Sequence, residues 1–206
     1  MREERRELRR LLQSLTPDQW EQGSLCAGWT VRELAVHLVG WDDLLLYRSR
    51  REHLRALVQF STLYAASLGS MTRLNHRIQT RAGDLAPEEL LRRFGADDGP
   101  ELKWLFDGTN PGGHLAEYVI HHQDIRRPLG LPRDIPPDRL VAALDGVLKL
   151  PEVRLSAWRR LRRRRWEATD VDWARGRGPV ARGPGEAILM VLAGRSAMAN
   201  ELAERT

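Results

Sequence analysis

Apolar residues at helical spacing, broken up by proline and glycine, run from residue 2 to residue 149, a pattern that admits little besides a helical bundle. Leu8, Leu11, Leu12 and Leu15 line one face of a helix over 2–14. Thr16-Pro17-Asp18 starts a short helical turn that reaches Trp20, and 24–30 (SLCAGWT) reads as a loop. Thr30-x-x-Glu33 has the form of a capping box and opens a helix to about Tyr47. Helical patterns follow over 55–80 and over 87–94 after Pro87. The segment 107–113 (DGTNPGG) is a break. A helix from about His114 to Arg127 stops at Pro128 and Gly130, and another covers 138–149 after Pro137.

The pattern changes after Pro151. Seven arginines fall within 154–165, and 166–173 (WEATDVDW) alternates loosely with β-favouring residues. Turn signals at Gly176, Gly178, Pro179, Gly183 and Pro184 precede a last helix expected to reach about Glu204. The expected fold is mainly α: a helical part over 1–150, then a small α+β part over 151–206 made of a β-hairpin and a helix.

The only cysteine, Cys26, allows no intrachain disulfide, and the apolar runs are too short to span a bilayer. The N-terminus is charged throughout and has no signal-peptide core. The expectation is a soluble, cytoplasmic protein with no membrane partner. Of 33 basic residues only Lys103 and Lys149 are lysines, and the net charge is +5. Together with a pI near 10.1, this makes nucleic acid a candidate partner. No helix-turn-helix, zinc-finger or RNP signature accompanies it, so this is the weakest of the functional readings.

Glu117 and His121 in HLAEYVIHHQD stand four apart, one turn apart on one helix face, and Asp124 continues the stripe. A carboxylate and an imidazole so placed reach one divalent cation, and one more His would make a three-ligand site with an open position. A solvated polar face with an ordinary Glu–His pair explains the spacing equally well. His122 is rotated by about 100° from His121 and cannot share the site. His37 faces inward between Leu34, Trp41 and Leu44, as a satisfied core histidine would. His53, His76 and His114 read as structural or exposed, and Cys26, with no base beside it in sequence, as an inert thiol.

Three segments in order, SLCAGWTVRELAVHLVG at 24–40, EYVIHHQDIRRPLGLP at 117–132 and ATDVDWARGRGPVARGPGEAILMVLAGR at 168–195, resemble the mycothiol-dependent maleylpyruvate isomerase family of the DinB superfamily. The resemblance implies a DinB-like four-helix bundle that holds one divalent metal through His37, Glu117 and His121, with Asp124 orienting a ligand. Zinc is the expected metal, and nickel, manganese or iron also suit such ligands. It implies mycothiol as thiol cofactor, a small-molecule substrate, and a C-terminal arginine, Arg195 (Arg182 second), that grips a substrate carboxylate. DinB-like bundles often pair, which leaves a homodimer open.

The leading expectation is therefore a metal- and mycothiol-dependent enzyme, isomerase-like or thiol-transferase-like, with its substrate open. A DinB-like metal-binding stress or binding protein without turnover is the alternative, and a basic nucleic-acid-binding protein comes third.

Overall fold

A computed structural model describes residues 1–96, 103–106 and 111–205. The break expected over 107–113 lies outside the described residues as far as 110. The fold is mainly α with a small α+β part near the C-terminus. In chain order the helices are α1 (Arg2–Ser14), α2 (Pro17–Glu21), α3 (Val31–Leu45), α4 (Arg50–Ala66), α5 (Met71–Ala82), α6 (Pro87–Ala96), α7 (Pro111–Arg126), α8 (Pro137–Gly146), α9 (Arg154–Arg163) and α10 (Gly185–Leu192). The strands are β1 (Leu46–Tyr47), β2 (Lys103–Trp104), β3 (Arg165–Ala168), β4 (Ala174–Gly176), β5 (Val180–Gly183) and β6 (Ala203–Arg205).

The chain forms two compact units, Met1–Thr109 with Asp124–Leu131 and Asn110–Gln123 with Pro132–Thr206. Helix α7 is continuous and contributes to both.

In the first unit α3 is central, packing on α4, α5 and α6, while α1 packs on α6. Leu8 and Leu12 of α1, Leu34 and Leu38 of α3, Leu74 of α5, and Leu90 and Phe94 of α6 are all fully buried. Both sequence start signals are capping boxes. The Thr16 Oγ1 accepts from the Gln19 N–H, the Thr30 Oγ1 from the Glu33 N–H, and each partner side chain accepts from the cap's own N–H. These contacts satisfy donors that a helix start otherwise leaves open. Gly40 lets α3 sit against α5, because a Cβ there would lie 2.7 Å from Ile78 Cγ2. The helical pattern expected over 55–80 divides into α4 and α5. Leu68 and Gly69 adopt φ of 52° and 69°, a left-handed conformation that ends α4, and Ser70 caps α5.

The second unit holds a four-stranded sheet in the order β4-β3-β5-β6. The expected hairpin is β3–β4, with Trp166 opposite Arg175. The sheet goes further than the sequence suggested. β5 runs parallel to β3 and β6 pairs antiparallel with β5. The last helix is shorter than expected, ending at Leu192 before Gly194 at φ 97°. A 3-10 turn over Ser196–Glu201 then leads into β6. Trp173 Nε1 donates to Asp145 Oδ1 at 2.9 Å and ties the sheet to α8. Helix α7 begins at Pro111 rather than His114, since proline suits the first helical position. Its Gly112 backbone lies directly against Gly146 of α8, where any Cβ would collide. The close approach compensates for glycine's poor helix propensity.

Candidate metal centre

Helix α7 carries the central pair. His121 Nε2 lies 3.2 Å from Glu117 Oε1, with the side chains 8% and 34% exposed. The i,i+4 spacing sets this geometry, aiming both groups from consecutive turns at one spot. The polar stripe is not a solvated face: His121 and Asp124 are buried, as are Ala116, Val119 and Ile120 on other faces of α7. A polar stripe inside a protein needs partners or an ion, because burying polar groups otherwise costs free energy. The pair therefore offers a divalent cation one carboxylate and one imidazole donor. His122 points elsewhere, as expected. Its Nδ1 accepts from Arg133 Nη1 at 2.8 Å, which leaves its ring proton on Nε2.

In the first unit His37 of α3 is buried, with its ring 4.9 Å from that of Trp29 and 6.4 Å from that of Trp41. The indoles screen the imidazole from water, and Thr30's capping box fixes the start of the helix that carries it. The loop 24–30 is fastened to the C-terminal end of α7. Leu25 N–H donates to the Asp124 carbonyl at 3.0 Å, and Cys26 Sγ lies 3.2 Å from Asp124 Oδ2. Cys26 thus has a carboxylate against it that its own sequence neighbours do not reveal. His53 is exposed and stacks on Tyr47 at 4.5 Å, His76 is exposed, and His114 is half-buried. Arg195 lies just past α10, half-buried, with Nη1 donating to the Ala193 carbonyl at 2.8 Å. Arg182 is exposed on β5.

One group near the pair has no sequence signal. Burial raises the Glu152 carboxyl from 4.5 to about 7, and the negative charge of Glu117 adds to the shift, while His121 works against it. Glu152 follows Pro151 in no recognisable motif, and only the return of the chain after α8 brings it into the field of α7. The folded chain holds this proton more tightly than the unfolded chain does. Between about pH 4.5 and 7 the folded state therefore binds more protons, and stability falls as pH rises through that window, then levels off. Glu152 is exposed at its outer side, so water screens much of the effect and the slope is shallow. In the metal-free chain, Glu152→Gln should flatten this slope. Urea midpoints of the two proteins at about pH 5 and about pH 8 check it, and parallel shifts in both would contradict it.

Among the described residues, His, Cys, Asp and Glu side chains, the Glu117–His121 pair of α7 included, form groups that could hold a metal ion. Fold and donor groups together define a mainly helical class of protein with side chains that could hold a metal ion. Within that class, the model of the mycothiol maleylpyruvate isomerase N-terminal domain matches residues 1–126, and the chain belongs to that family. No curated protein and no solved structure matches it. No helix among the described residues is long and apolar enough to cross a membrane.

Proposed function

We propose that this protein is a divalent-metal- and mycothiol-dependent enzyme of the maleylpyruvate isomerase type, acting on a small unsaturated or electrophilic substrate. The observation that carries this reading is the Glu117–His121 pair, 3.2 Å apart with its imidazole buried, inside the stretch that the family model covers.

His37, Glu117 and His121 are the proposed ligands. Two neutral imidazoles and one carboxylate suit zinc first, and nickel, manganese or iron as well. Bound there, the cation would acidify a thiol, so that mycothiol reacts as its thiolate and adds to and leaves a cis double bond, giving the trans isomer. The chain's own residues set the conditions for that chemistry. Trp29 and Trp41 keep water from the His37 ring. Asp124 orients the ligand set from the next turn of α7 and holds the Cys26 loop in place. The proposed role of Arg195 is to bind a substrate carboxylate, for which a planar guanidinium is suited.

Elemental analysis and calorimetry test this together. The purified chain should carry about one divalent ion and release heat on titration with mycothiol only when metal-loaded. A metal-loaded chain that ignores mycothiol and other small thiols would point instead to a DinB-like metal-binding protein without turnover. A chain that takes up no divalent ion would remove the basis of both readings.

A further inference from the structure

Helix α9 divides its side chains sharply. Ala157 and Leu161, one turn apart, are buried where the helix packs on β3, β4 and α10. The opposite face carries Leu155 and Trp158, 63% and 52% exposed, with the exposed Arg159 and Arg162. At 100° per residue these four side chains fall within about 100° of arc. No acidic residue occurs between Arg154 and Arg165. Among the described residues, Arg154, Arg159, Arg160, Arg162 and Arg163 form no ion pair, whereas Arg165 pairs with Glu167 at 2.7 Å. The face therefore combines two large apolar groups that gain nothing from water with uncompensated positive charge.

We propose that the Leu155–Trp158–Arg159–Arg162 face of α9 docks the protein onto the surface of an anionic phospholipid bilayer. Trp and Leu would enter the boundary between headgroups and acyl chains, and the arginines would lie among the lipid phosphates. The charge sets the sign of the partner, and the apolar pair selects among negative partners. Neutralising the phosphates of a nucleic-acid duplex needs charge alone and gains nothing from a leucine standing in the charged stripe. A helix lying in the interface needs neither the length nor the hydropathy of a span. Docking does not depend on the metal centre, so its failure and that of the proposed function are separately visible.

Cosedimentation of the full chain with vesicles tests the proposal. The chain should pellet with phosphatidylcholine vesicles containing about one-third phosphatidylglycerol and stay in solution with pure phosphatidylcholine. Leu155→Ser with Trp158→Ser should weaken binding at least about tenfold, as should Arg159→Gln with Arg162→Gln. Added salt should weaken what the serine variant retains more than what the glutamine variant retains. All four substitutions are at exposed positions, and unchanged melting curves and metal content will show that the fold is kept. Absent or charge-independent vesicle binding would overturn the proposal, and so would binding indifferent to the loss of Leu155 and Trp158. Tighter binding to a DNA duplex, insensitive to that pair and steeply salt-dependent, would overturn it in favour of a phosphate-backbone contact.

Discussion

His121→Ala should lower divalent-metal affinity by at least about 100-fold, the upper end of what losing a mere neighbour of a metal ligand costs. His121 is the partner of Glu117 at 3.2 Å across one turn of α7. Its removal deletes one donor outright and leaves the Glu117 carboxylate facing Glu152 without the imidazole that offsets their repulsion. A bound metal stabilises the folded chain according to its concentration, by about 2.7 kcal/mol at 100 times Kd. Wild type should therefore gain stability on metal addition and lose it to chelator, while His121→Ala should respond to neither. Glu117→Gln, which keeps the shape of the side chain, should show the same loss of response, and so should His37→Ala if α3 supplies the third ligand. Undiminished metal content in His121→Ala would remove the proposed centre. Loss in the two α7 variants but not in His37→Ala would leave the ion with α7 and overturn the three-residue set.

Asp42→Ala should destabilise the chain by about 3–5 kcal/mol, which is large against a usual total of about 5–15 kcal/mol. Arg5 Nε donates to Asp42 Oδ2 at 2.8 Å, with the side chains only 3% and 4% exposed. The same guanidinium donates through Nη1 to the Phe94 carbonyl at 2.8 Å and sits 5.4 Å from the centre of the Phe94 ring. One arginine of α1 thus links α3 and α6. Removing the carboxylate takes compensation from a positive charge held away from water, and that loss makes up most of the cost. Arg5→Met combined with Asp42→Leu should therefore recover most of the stability. The remaining deficit, about 1 kcal/mol, reflects the hydrogen bond that the Phe94 carbonyl loses. Urea unfolding of the single and double variants reads both numbers, and a double variant no better than Asp42→Ala would contradict this account.

These predictions differ in how far the sequence announces them. The Glu117–His121 pair is legible because its geometry is set by four residues of one helix, and the Thr30–Glu33 capping box for the same reason. The Arg5–Asp42 bridge joins residues 37 apart, and neither position carries a local signal. Glu152 is illegible too, since its carboxyl is raised first by burial and then by the charge of Glu117 on α7, neither of which its sequence neighbours announce. The split between α4 and α5 is not legible because Leu68 is a residue that seldom takes positive φ, so nothing marks the turn ahead of Gly69. The parallel pairing of β5 with β3 is not legible because non-consecutive strands declare no register.

By itself the sequence determined the helical class, the caps that start the helices, the family and the candidate donor pair of α7, all of which rest on short-range spacing. Only the tertiary structure decided whether the polar stripe of α7 faces water or protein. The wheel shows that Glu117, His121 and Asp124 share a face, but a helix is symmetric about its axis until something packs against it. His121 and Asp124 are buried because neighbouring segments cover that face, and the same burial makes a polar stripe favour a bound cation. The exposure of Leu155 and Trp158 was decided in the same way: Ala157 and Leu161 took the core side of α9 and left the larger apolar groups outside among the arginines.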